Sequence, residues 1–144
     1  MKTYLYSIFL LFLFLECSTP KALYKDDCVP VPEHFKKEVL KKYDSENEKY
    51  SLLYFTELFK DDEITVSNEK ETLYSGVVST VEGVGLAYVV RIDNDYTTNV
   101  YVKNENYSFK IKKGKYKYIY VSKIQKEKRS KYIIAYRNIL CGFR

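Results

Sequence analysis

Between residues 50 and 140 the sequence is a succession of short apolar or alternating runs, and the clusters that separate them, "KDDE", "SNEKE", "DNDY", "NEN" and "KKGK", are only a few residues long. That brevity is the tightest constraint on the fold. Asp, Asn, Ser and Gly at these points interrupt one run and turn the chain toward the next. A parallel crossover takes about a dozen residues or more, so strands joined this closely are expected to be antiparallel neighbours. The runs predict strands over 50–58, 64–67, 72–81, 84–92, 98–103, 107–111, 116–122 and 132–140. "VGLAYVVRI" is apolar on both faces and is expected to lie centrally in a sheet. The last strand competes with a helix, because Ile133, Tyr136 and Leu140 also fall at helical spacing; its Ile and Tyr content favours the strand.

Ahead of these runs, "PEHFKKEVLKKY" reads as a helix. Pro32 suits a first helical position, Glu33 the positive end of the dipole, and Lys41 and Lys42 the negative end. Phe35, Val39, Leu40 and Tyr43 share one face, which needs a surface to cover. Sixteen Tyr and 8 Phe, with no Trp, tilt the remainder toward strands. The expected class is therefore α+β, mostly antiparallel β: one N-terminal amphipathic helix packed on a curved sheet or small barrel. No linker or repeat divides residues 31–144, so they are expected to form a single β-rich domain, with 18–30 as a tether.

Residues 1–17 carry one positive charge at Lys2 and then an apolar run that stops at Glu16. A bilayer span needs about 20 apolar residues, so the segment reads as a secretory signal peptide. Cleavage just before Cys17 would instead leave that cysteine as a lipidated first residue and a membrane anchor, although Glu16 stands where such a site wants a small residue. Either route leaves Cys28 and Cys141 in the folded part, and an even pair in an exported chain reads as a disulfide. Closing so long a loop removes about 4 to 5 kcal/mol of unfolded-chain entropy in the ideal treatment.

The net charge of +5 conceals a division. Residues 1–102 hold 11 Lys and Arg against 17 Asp and Glu, whereas residues 103–144 hold 13 against 2. A basic third of this kind suits an anionic glycan, a lipid surface or an acidic protein, and export makes nucleic acid the least suitable partner. The competing reading has solvated lysines guarding sheet faces and edges, balanced by the acidic first part.

"YSFKIKKGKYKYIYVSK" is the most individual stretch. Read as a hairpin turning at Gly114, it offers Lys110, Lys112, Lys113, Lys115 and Lys117 beside Tyr116, Tyr118 and Tyr120, charge interleaved with rings able to stack on sugars. The alternative sends the tyrosines to the core. Asn106 to Ser108, "NYS", forms a glycosylation sequon.

Catalysis is poorly supplied, since His34 is the single histidine and sits on the first turn of the helix. "DNDYTTN" has the alternate oxygens of a calcium loop at Asp93, Asp95, Thr97 and Asn99, but Thr98 stands where glycine is needed and Asn104 where glutamate is; a hairpin turn is expected. No metal or cofactor is expected. "TVEGVG" places Gly83 and Gly85 before a strand, and the order helix, strand, V-x-G turn, strand is similar to the cystatin arrangement around Val81 and Gly83. That resemblance implies a turn that enters a protease cleft; Ser79 replaces the expected glutamine, and a Pro-Trp wedge has no Trp to form it. Taken together, the residues suggest a small exported non-enzymatic binding protein, with a lipid-anchored envelope protein or a cystatin-like inhibitor as alternatives.

Overall fold

A computed structural model describes residues 19–126 and 129–143. The runs form strands β2 (Tyr50–Phe55), β3 (Asp62–Ser67), β4 (Thr72–Val78), β5 (Tyr88–Asp93), β6 (Thr98–Val102), β7 (Tyr107–Ile111), β8 (Tyr118–Lys126) and β9 (Arg129–Arg137). The 131–141 stretch is thus extended rather than helical through Arg137. One strand escaped the sequence reading: β1 (Lys21–Tyr24) lies inside the expected tether and pairs in parallel with β9. "KALY" is too short and too polar in its flanks to announce a strand alone.

The strands belong to two sheets, with orders β1-β9-β8-β2-β5 and β4-β3-β6-β7. Among the described residues strands far outweigh helix, 49% against 11%, so the molecule is mostly β; the expected single curved sheet or barrel bearing an N-terminal helix is not what forms. The physical reason lies in the connections. β3–β4, β6–β7 and β8–β9 are antiparallel hairpin neighbours, whereas β2–β3, β4–β5, β5–β6 and β7–β8 each step from one sheet to the other. A few residues suffice to cross between packed layers about 10 Å apart, so a short connection does not require lateral pairing. β2 consequently pairs in parallel with β8, far from it in sequence. "YVVRI" is likewise displaced: β5 is an edge strand, and β8 is central.

The interior follows from side-chain alternation. Leu53 and Phe55 of β2, Ile119 and Val121 of β8, and Val90 and Ile92 of β5 face the smaller sheet, where Ile64, Val66, Val100 and Ile111 meet them. Their alternate neighbours Leu52, Tyr54, Tyr118, Tyr120 and Val89 point the other way. Those are covered by a third layer: helix α1 (Glu33–Lys42), through Val39, Leu40 and the following Tyr43, together with Val31, Leu140 and Phe143. Cys28 and Cys141 are disulfide-bonded across 113 residues, and the Pro30–Cys141 bridge beside them pins this layer to the end of the chain. The helix is only half sunk; none of its residues is buried. Among the described residues no helix is long and apolar enough to cross a membrane.

Candidate functional site

β7 ends in the small sheet and β8 starts in the large one, so residues 112–117 bridge the layers and the expected Lys/Tyr hairpin does not exist. Lys110 lies on the solvated face of β7, and Lys112, Lys113 and Lys115 are exposed on the bridge. Among the described residues none of these four has a carboxylate partner. Lys117 is spent on the fold: its ammonium donates to the carbonyls of Asn47 at 2.7 Å and Tyr50 at 2.9 Å. Tyr118 and Tyr120 are 0% and 7% exposed, so their rings are unavailable to a partner. Burial pushes both phenols up to about 12 and keeps them protonated, and the Tyr120 oxygen accepts the Cys141 N–H at 2.9 Å.

Other rings stand beside the lysines. Tyr24 stacks on Tyr136 with centroids 5.1 Å apart, and Tyr116 leans on both at 5.6 and 5.5 Å. Tyr136 is buried and accepts the backbone N–H of Lys112, while Tyr24 remains 52% exposed. The ladder exists because β1 pairs with β9 in a register that sets Tyr24 against Tyr136. Sequence reading missed Tyr24 because nothing local marks β1.

Three other basic residues of the last third pair with carboxylates. Lys103 pairs with Glu63 at 2.6 Å and Arg137 with Asp27 at 2.7 Å. Lys123 meets both Asp62 (2.9 Å) and Glu105 (2.6 Å), and Glu105 also accepts from Ser130 and Tyr132 at 2.7 Å each. Burial pushes Glu105 up, yet the bonds from Lys123, Ser130 and Tyr132 outweigh it and hold the carboxyl below its ordinary value. Burial lowers Lys123, but its two carboxylate partners outweigh that and raise it. Sequence reading missed this cluster, for which parity was the signal: Asp62 precedes Ile64 and Val66, and Lys123 follows Ile119 and Val121, each on an inward face. Two inward charges of opposite sign, one per sheet, find each other.

On the opposite face of the large sheet, α1 and the turn at residues 81–86 flank a groove of about 480 Å³. Val81 and Leu86 form a bridge that closes the turn, and Gly83 and Gly85 sit at φ 79° and 70°, where other residues would be strained. Val81 and Val84 are 56% and 47% exposed at its tip. The turn joins β4 and β5, which lie in different sheets, so it is not a hairpin within one sheet.

His34 is exposed on α1. The 93–99 segment is a sheet-to-sheet connection rather than a hairpin turn, and Asp93 and Asp95 face Lys49 at 3.3 and 3.7 Å. Among the described residues no group of three or more His, Cys, Asp or Glu is arranged to hold a metal. Asn106 is exposed in a left-handed turn, its side-chain oxygen accepting from the Tyr101 hydroxyl at 3.2 Å. Cys17 and residues 1–17, the expected signal peptide, lie outside the described residues. No protein-family model matches the chain, and no curated protein matches it.

Proposed function

We propose that this is an exported, non-enzymatic binding protein that takes an anionic glycan on Lys110, Lys112, Lys113 and Lys115, with the Tyr24 ring as a stacking platform. The observation that carries the reading is the contrast within the basic third. Lys103, Lys123 and Arg137 are paired with carboxylates, whereas these four lysines have none among the described residues, and they lie on or next to the 112–117 bridge, whose Tyr116 packs against the exposed Tyr24 ring. Charge attracts the polyanion, and the ring's face packs on the C–H face of a sugar. Export rests on the signal-like residues 1–17 and agrees with the disulfide. The mass of the N-terminal peptide from the natural source separates a free secreted chain from one lipidated at Cys17.

The test is retention on a sulfated-glycan column and on a plain sulfonate resin. Retention on both at low salt, lost as the Debye length shrinks below about 10 Å above 0.1 M, is expected. Replacing Lys112, Lys113 and Lys115 with Ser should release the protein early from both, and Tyr24→Ala early from the glycan alone. Flow-through of the folded wild type at low salt refutes the reading. Exposed Val81 and Val84 on the Gly83 turn favour a second reading, a protease inhibitor. An inhibition assay against cysteine proteases, repeated with Gly83→Val, decides it.

A further inference from the structure

The groove between α1 and the 81–86 turn has a chemical character distinct from the lysine site. Its walls are aliphatic and aromatic: Phe35 and Val39 from the helix, Val84 and Leu86 from the turn, Val89 from β5 and Phe143 from the chain end. Lys42 is the single charged residue among those that line it. Lys42 has no carboxylate partner among the described residues; its ammonium lies 5.4 Å from the centroid of the neighbouring Tyr43 ring. Tyr54, also part of the lining, is 2% exposed, and its hydroxyl is without a hydrogen-bond partner among the described residues. A buried phenol in that condition forgoes a bond that native interiors nearly always make. Because burial raises its pKa, that hydroxyl remains a donor across the physiological range.

Ammonium and protonated phenol are both donors, so the matching ligand carries an acceptor with negative charge on an apolar body. A cavity of about 480 Å³ falls within the range of small-molecule sites, roughly 300 to 1,000 Å³. We infer that the groove binds a single-chain amphiphile ending in a carboxylate, the head held by Lys42 and the tail lying over Phe35, Val84, Leu86 and Phe143. The half-sunk helix suits such a role, since its apolar stripe is only partly covered by the protein itself.

The disulfide-closed protein is titrated with dodecanoate, carbon-13 labelled at the carboxyl and kept below its micellar concentration, and the label is followed by NMR. Saturable one-to-one binding is expected. Lys42→Glu should weaken it by about tenfold or more, the equivalent of one hydrogen bond to a charged group. Val84→Trp, at a position 47% exposed and therefore tolerant of bulk, should close the groove and abolish binding. Replacing Lys112, Lys113 and Lys115 with Ser should leave it unchanged, which separates this site from the glycan surface. Absence of a saturable shift overturns the inference, as does equal competition by dodecyltrimethylammonium. Binding indifferent to both groove variants, or a dimer that Val84→Trp disperses and dodecanoate does not, overturns it as well.

Discussion

The two sheets pack on one another but sit in different surroundings. The four-stranded sheet has one dry face, and β3 reads accordingly: Asp62, Ile64 and Val66 are buried while Glu63 is exposed and Thr65 and Ser67 are partly so. The five-stranded sheet is dry on both faces at its centre, where Ser51 through Phe55 of β2 are buried without interruption. What separates them is the third layer, for α1 and the 139–143 segment cover only the larger sheet. An alternating strand therefore marks a two-layer region and an uninterrupted one a three-layer region.

Unfastening the third layer gives the largest expected effect. Replacing Cys28 and Cys141 together with Ser should cost up to about 4 to 5 kcal/mol by loop-closure entropy, read as a drop in the denaturation midpoint. A smaller loss locates the layer's attachment in its apolar contacts instead. Next come adjacent pairs on each sheet. Leu52→Ala and Leu53→Ala should each cost roughly 2 to 5 kcal/mol, since both are 0% exposed. On β3, Ile64→Ala should cost the same and neighbouring Thr65→Ala within about 0.5 kcal/mol. Equal losses at Thr65 and Ile64 would break the comparison.

The smallest effect is a pH dependence at the place where the sheets are clamped by charge. Glu105 has a folded pKa below its ordinary 4.5, so its contribution is present above that value and is lost as pH falls through the folded one. Lys123 is raised above 10.5, so its contribution is complete below that value and is lost as pH rises through the folded one. Glu105→Gln should flatten the acid limb of a stability profile while leaving stability near the alkaline limb falling. An unchanged acid limb would assign acid sensitivity elsewhere.

Periodicity located the eight strands from β2 to β9 because each is an apolar or alternating run, and the helix because Val39, Leu40 and Tyr43 fall on one face. It failed on topology. Nothing in "KDDE" or "DNDY" distinguishes a turn within a sheet from a step between sheets; the choice depends on which apolar faces are left to bury once neighbours are in place. In the first of these steps Asp61, and Leu58 three residues earlier, adopt the left-handed region, at φ 50° and 62°, a conformation that composition does not announce. The site was half visible. The lysines were identifiable as charge, but parity alone could not tell that Tyr118 and Tyr120 lie under a covering layer, nor that Tyr24 would arrive from a distant segment.

The parallel pairings carry a kinetic consequence. β9 sits between β1 and β8, and β8 sits beside β2, so the larger sheet waits on partners more than 60 residues apart, and in one case more than 100. Such distant contacts make for slow folding. During synthesis, residues 50–55 emerge long before anything can shelter both their faces. A ribosome-bound chain halted ahead of β8 should therefore remain open to protease across that stretch.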